Sequence, residues 1–508
     1  MTQAPPNRAR EHATSATLAL AGGILWAFCF TAEERLLLPW VALVPLVALA
    51  TRRRAFWWGW LHGVAFWGGS LPWLIDTVVT HGGLPRALSV GLFLLLIVYL
   101  GLPHGLFTWL GGKMLRRGGW MAYLGLPALW MVLELMRGLP VGRFPWNWAA
   151  YGWVATPGVL PLASWIGALG LSGLLVWMSV AWVRSWQQRR LDPALWAVLL
   201  VTTVLVLAGR FAHAEPGAGR SQVLVIQPDT PILAPDEAWP YYQRLVAMSQ
   251  EACRSAGEAL LIWPESAAWP LNYVSSPRLQ ADVAALNAEG CTMIVGAATF
   301  EDTQVFNSAL LLGSAGELGR YSKRQLVPYG EYVPLAEVLP FVGTLARNAG
   351  SFTPGSDVGL LPWRDEQLGM AICYEVVFPG AVAEQVRAGA TALVNITNDA
   401  WYGDTAAPHQ HFRAVRFRAA ENRRPLLRSA LTGISALVDA RGVVVEELGV
   451  GERDVLEGRL AGVEGLSPYS RAPWLVPSAA WIVLGFAIVR LRSGAGPRPQ
   501  DTSAAARH

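Results

Sequence analysis

Charge is what this chain has least of. Only 15% of its 508 residues are Asp, Glu, Lys or Arg, where soluble proteins carry about 25%. With 53% hydrophobic residues, that scarcity excludes a disordered chain and argues against an ordinary cytosolic enzyme. The formal net charge is only +4, too weak and too dispersed to suggest a nucleic-acid partner. No Gly-rich phosphate loop of the Walker kind occurs, so ATP is not implied and no cofactor is expected. What is there in excess is tryptophan, 25 residues of it, a side chain that gathers at membrane–water interfaces.

The apolar residues cluster. Runs near the ~20 residues needed to cross a bilayer fall at Ser15–Thr31, Leu36–Ala50, Ala55–Ile75, Ala87–Leu110, Trp120–Met136, Leu160–Val183 and Ala194–Ala208, with an eighth at Pro473–Val489. Between the seventh and eighth, nothing is long enough to span. Cytoplasmic loops retain positive charge. With the N-terminus inside, that side receives Arg8, Arg10, Arg52, Arg53, Arg54, Lys113, Arg116, Arg117, Arg184, Arg189, Arg190, Arg490, Arg492, Arg498 and Arg507. The opposite short loops hold only Arg35, Arg86, Arg137 and Arg143. The alternation predicts eight transmembrane helices with both termini inside. It divides the chain into a membrane domain over 1–210, an outer domain over 211–470, and a final span with its tail over 471–508. No small-x-small cleavage site follows the first run, where Ala32, Glu33, Glu34 and Arg35 come next, so it reads as a retained anchor.

The outer domain alternates strands and helices. Gln222–Gln227, Ala259–Trp263, Thr292–Ala297, Asn307–Leu312, Leu368–Cys373 and Ala392–Ile396 read as buried strands, and Glu237–Ser255, Gly380–Arg387 and His409–Arg423 as helices. That order predicts an α/β layered fold. Of the cysteines, Cys29 lies in the first apolar run. Cys253 and Cys291 either pair or sit separately in the core, and Cys373 is left over.

Cys373 ends the apolar run Leu368-Gly369-Met370-Ala371-Ile372 just before a turn, the position of an elbow that presents a nucleophile. A free cysteine is more often a small core residue, but two comparable positions also carry polar side chains. Glu265 follows Leu260-Leu261-Ile262-Trp263-Pro264, and Lys323 follows Gly319-Arg320-Tyr321-Ser322. Strand carboxyl ends are where open α/β sheets build sites. There a carboxylate can take a thiol proton and a cation can stabilise an oxyanion. Read singly, Glu265 and Lys323 are better explained by a solvated strand end or an ion pair.

Together, Trp263-Pro264-Glu265, Lys323 ahead of Leu326-Val327-Pro328-Tyr329-Gly330-Glu331, and Cys373-Tyr374-Glu375 resemble the Glu-Lys-Cys blocks of the nitrilase, or carbon–nitrogen hydrolase, superfamily. Asn398-Asp399-Ala400-Trp401-Tyr402-Gly403-Asp404, the following Pro408-His409-Gln410-His411, and Phe144-Pro145-Trp146 upstream are similar more specifically to the apolipoprotein N-acyltransferases. The resemblance implies a nitrilase-like αββα sandwich outside the membrane of a bacterial cell, carried on a polytopic α-helical domain. It implies Cys373 as nucleophile, Glu265 as general base and Lys323 as the oxyanion cation, with Glu331, Tyr374 and Glu375 in support. Its partners would be a phospholipid acyl donor, a diacylglyceryl-modified apolipoprotein acceptor and the inner membrane, with the chain inserted as a multi-pass protein. The tryptophan the family often carries after the first strand is missing from Pro231–Asp236; Trp239 and Trp401 are the pocket candidates.

Apolar loops are expected around such a site, with Ile232, Leu233, Leu335 and Val338 among them. His409 and His411, at i and i+2, do not share a helix face and read as structural or hydrogen-bonding residues, so no metal is expected. Glu134 and Arg137 read equally as a helix-end ion pair or a functional pair. An amidase tethered to the membrane would share the same three residues. A transporter would need polar residues along several spans, and these hold few beyond His62, His104 and Glu134.

Overall fold

The computed structural model describes residues 8–139, 144–211, 219, 221–332 and 351–493. Its N-terminal part is helical. Among the described residues, four helices are long and apolar enough to cross a membrane: Arg8–Phe30, Arg86–Arg117, Val159–Gln188 and Leu475–Arg492. The seventh run lies in one continuous helix, Pro193–Phe211, while others are shorter or broken. Leu36–Ala50 forms two short helices, Pro39–Ala42 and Val44–Leu49, and Ala55–Ile75 divides at Leu71-Pro72 into Ala55–Ser70 and Trp73–Thr80. A proline has no N–H to continue the ladder, and its ring clashes with the preceding turn.

Two glycine devices shape this bundle. The helices Ala55–Ser70 and Arg86–Arg117 approach so closely that a Cβ on Gly63 would stand 2.8 Å from the Gly101 Cα, and one on Gly59 would stand 2.5 Å from the His104 carbonyl. Small residues four apart permit such contact where no hydrophobic driving force separates helix from lipid. Gly167 interrupts Val159–Gln188 with φ +66, and the Tyr469 ring occupies the place of its missing Cβ. The Ala168 N–H released by that break donates to Glu421 Oε1 at 2.8 Å.

The C-terminal part is a nitrilase-like α/β domain of two six-stranded sheets. Its strands are β1 Ser221–Gln227, β2 Ala259–Ile262, β3 Cys291–Glu301, β4 Gln304–Gly313, β5 Gly316–Ser322, β6 Leu360–Trp363, β7 Glu366–Ile372, β8 Ala392–Thr397, β9 Leu426–Ala430, β10 Ser435–Val438, β11 Val444–Leu448 and β12 Asp454–Leu460. One sheet runs β12-β1-β2-β3-β4-β5 and the other β11-β10-β9-β8-β7-β6. The pairs β1–β2, β2–β3, β7–β8 and β8–β9 are parallel.

Strand alternation sorts the side chains into layers. Val223, Val225, Leu260 and Ile262 of the first sheet meet Met370, Ile372, Val394 and Ile396 of the second in a shared core. Leu224, Ile226, Leu261 and Trp263 face outward onto the helices Trp239–Ala256 and Pro277–Ala288. Ala371 and Leu393 face the other way, into a core that is continuous with the N-terminal helices. A disulfide joins Cys253 to Cys291, so of the two readings left open by the sequence, pairing is the one realised.

Candidate active site

Glu265, Lys323 and Cys373 follow the ends of β2, β5 and β7, and all three are buried. Lys323 Nζ lies 2.9 Å from Glu331 Oε1 and 3.5 Å from Glu265 Oε1. Asn307 on β4 donates through Nδ2 to both carboxylates, at 2.7 Å to Glu265 and 2.9 Å to Glu331. The other Glu265 oxygen accepts the Asn398 N–H at 3.1 Å, and the other Glu331 oxygen accepts the Val327 N–H at 2.8 Å. Glu265 is thereby aimed by groups from β4, β5 and the β8 end together. Burial alone would strip the Lys323 proton, but the Glu265 and Glu331 charges outweigh it and raise its pKa above the ordinary lysine value. It remains a cation.

Cys373 has φ +52, left-handed backbone that a residue with a Cβ adopts only when its surroundings impose it. Burial pushes its thiol up to about 12, Glu265 adds to the shift, and Lys323 opposes it. The resting group is therefore a protonated thiol, which needs a base at the moment of attack. Glu375 turns back beneath the elbow. One oxygen accepts the Ile372 N–H at 2.8 Å; the other accepts from Tyr321 Oη at 2.9 Å and from the Arg324 and Gln325 N–H groups at 2.7 and 3.0 Å. Burial raises its pKa against those donors. Glu375 thus ties β7 to the segment that carries Lys323. The Tyr374 ring stacks on Trp146, 6.1 Å between centroids, so an N-terminal segment touches the residue beside the thiol. The assembled groups (thiol, carboxylate, buried ammonium) are those required to attack a carbonyl through sulfur.

Two family models match. The carbon–nitrogen hydrolase model covers residues 224–462, and the apolipoprotein N-acyltransferase N-terminal domain covers residues 22–181. The apolipoprotein N-acyltransferase of Geobacter metallireducens is 35% identical over 93% of this chain and 95% of its own length. That of Methylococcus capsulatus is 32% identical over 94% of this chain and 96% of its own. The chain belongs to the apolipoprotein N-acyltransferase family. Among solved structures, a Saccharomyces cerevisiae member of branch 10 of the nitrilase superfamily aligns at 16% identity with a TM-score of 0.39, covering 52% of this chain and 96% of that one.

The other residues singled out in the sequence are more scattered. Trp239 opens its helix with its ring half-exposed, stacked on Tyr242 at 5.6 Å. Trp401 packs its ring against His81 at 4.6 Å, and its carbonyl accepts from Thr77 Oγ1 at 3.1 Å. Ile232 is exposed; Leu335 and Val338 lie outside the described residues. Glu134 Oε1 accepts the Ala149 N–H at 2.7 Å and lies 3.6 Å from Arg137 Nη2, in the helical part.

Residue-by-residue reading missed Asn307, Tyr402 and the neighbours of His411. Asn307 carried one signal, a polar residue opening an otherwise apolar strand. Tyr402 packs on Trp73 and Trp146 at 5.1 and 6.3 Å. Burial first, then the neighbouring thiol, raise its hydroxyl pKa well above the ordinary tyrosine value.

Proposed function

We propose that this chain moves an acyl chain from a phospholipid, through a thioester on Cys373, to the α-amine of an N-terminal diacylglyceryl-cysteine. The observation that carries the proposal is the buried grouping of Glu265, Lys323 and Cys373 at three strand ends, in a chain whose residues 22–181 match this family's N-terminal domain. That second match favours acyl transfer over the hydrolysis of a small amide.

In this reading Glu265 takes the thiol proton as Sγ attacks the ester carbonyl. Lys323 and a backbone N–H near Tyr374 meet the oxyanion. The tetrahedral intermediate collapses, the C–O bond breaks, and the lysophospholipid leaves with the proton from Glu265. The acceptor amine then attacks the thioester and gives its proton to Glu265. The C–S bond breaks, and the thiolate recovers the proton. An amide is more stable than a thioester, so the second step runs downhill without ATP. Glu331 holds Lys323 while Glu375 and Tyr374 fix the elbow; Trp239 and Trp401 line the approach of the acyl chain.

Both substrates reside in the bilayer, which accounts for a hydrolase-like domain joined to apolar helices. The proposal places eight spans in the inner membrane, with the 1–210 and 471–508 segments anchoring a periplasmic 211–470 domain. The Cys253–Cys291 bond suits an oxidising compartment. Protease added outside spheroplasts should cut the 211–470 domain; full protection would overturn that topology.

The enzyme incubated with labelled phospholipid should accumulate a hydroxylamine-sensitive acyl-enzyme, and adding a diacylated lipopeptide should yield one further acyl chain by mass spectrometry. A Cys373→Ala variant that still forms the labelled intermediate would sink the assignment.

A further inference from the structure

A second buried set of polar groups stands behind the nucleophile, on elements outside the triad. The helix Ala406–Asn422 places His411 so that Nε2 lies 3.2 Å from the Cys373 carbonyl oxygen. On the other side of the ring, Nδ1 lies 3.1 Å from Arg428 Nη2 and 3.2 Å from Asp399 Oδ1. Arg428 reaches Asp399 Oδ2 at 2.6 Å and also bonds Asn395 Oδ1, and Thr397 Oγ1 donates to Asp399 Oδ1 at 2.9 Å. His411, Asp399 and Arg428 have no solvent exposure.

The network assigns the tautomer. A carbonyl only accepts, so Nε2 carries the hydrogen. Arg428 and Asp399 already cancel one another's charge, and an imidazolium would add an uncompensated buried cation. In a neutral ring Nδ1 accepts from Arg428, and Asp399, itself only an acceptor, acts on the ring through the Arg428 guanidinium that it holds and not by a bond to Nδ1. Burial first, then Arg428, lower the His411 pKa in the same sense.

The adjacent Gln410 locks this turn of helix in place. Its Oε1 accepts from Trp146 Nε1 at 2.7 Å and Trp73 Nε1 at 3.3 Å, and its Nε2 donates to the carbonyls of Phe30 and Ser70, both at 2.8 Å. Every hydrogen-bonding direction of the amide is taken.

We propose that His411 is a positioning residue: its Nε2–H holds the Cys373 carbonyl and thereby maintains the left-handed turn from which the thiol projects, while Asp399 and Arg428 fix the ring. The proposal rests on Cys373 being the nucleophile. Such a residue alters the rate of sulfur attack without touching the lipid, so kcat falls and KM stays. Misplacing a reacting group by about 1 Å costs on the order of 10²-fold.

The test uses the full chain and labelled phosphatidylethanolamine, with thioester formation followed in a single turnover without acceptor and acyl transfer followed in steady state with a diacylated lipopeptide added. His411→Gln keeps an amide N–H near the Nε2 position; His411→Asn is equally polar but too short to reach. The Gln variant should acylate within about tenfold of the parent, and the Asn variant about 10²-fold slower at unchanged KM. Equal rates for the two, a faster Asn variant, or a loss confined to KM would overturn the positioning role. Absence of a thioester in the parent enzyme would instead overturn the nucleophile assignment, which keeps the two failures apart. Both variants stay polar, and matching elution and thermal midpoints would exclude misfolding as the cause of any difference.

Discussion

Of the helices that cover the sheets of the α/β domain, one on each side shows a different solution to burial. In Trp239–Ala256, six of eighteen residues are buried, Tyr242, Leu245, Val246, Ser249, Ala252 and Cys253: a stripe at helical spacing with water on the far side. In Ala406–Asn422, fourteen of seventeen are buried, Gln410, His411, Arg413, Arg418, Glu421 and Asn422 among them, because N-terminal helices close over the face that would otherwise meet solvent. The first helix is held by apolar area and a disulfide. The second is held by polar partners drawn from two parts of the chain, each of which becomes a liability when its mate is removed.

That contrast can be broken by substitution, and the largest effect belongs to the second helix. Arg418 Nε meets Glu421 Oε2 at 2.7 Å as a charge contact with no solvent exposure on either side chain. Arg418→Leu leaves a buried carboxylate without its cation and should cost about 3–5 kcal/mol, read as a lowered thermal or denaturant midpoint of the purified protein. A change below about 1 kcal/mol would mean that water screens this pair as it screens a surface ion pair.

On the first helix, Cys253→Ser opens the 38-residue loop closed by the disulfide and should cost about 2–4 kcal/mol, an effect that a reducing agent should reproduce in the parent. Next comes Gln410→Leu, which strands the Trp146 and Trp73 donors and two backbone carbonyls, at about 1–3 kcal/mol. The smallest is Arg254→Ala. Its ion pair with Glu289, 3.1 Å long, has an arginine more than half exposed, so the expected loss is within about 0.5 kcal/mol. Should Arg254→Ala and Arg418→Leu prove equal, the distinction between the helices fails.

The same contrast shows where sequence reading works. Strands β1, β2, β3, β4, β7 and β8 are legible because both of their faces are covered and their apolar runs are nearly continuous. β9 hides because Arg428 interrupts it, yet that side chain is buried on Asp399 and Asn395. β11 hides because Glu446 and Glu447 face solvent at a sheet edge. In the helical part, run length locates helices but not their interruptions, since the break at Gly167 depends on a ring and a carboxylate from more than 250 residues away. Glu265, Lys323 and Cys373 stand out at strand ends. Asn307 and His411 do not, because their importance lies in which neighbours the topology delivers.

The bond from Glu421 to the Ala168 N–H bears on modularity. A helix in the apolar part has its broken turn completed by a side chain of the α/β part, so neither piece is finished alone. Chimeras between relatives should therefore exchange cleanly only when the junction keeps the Gly167 turn and the Ala406–Asn422 helix from the same parent. The unit of inheritance in this protein straddles its two architectures.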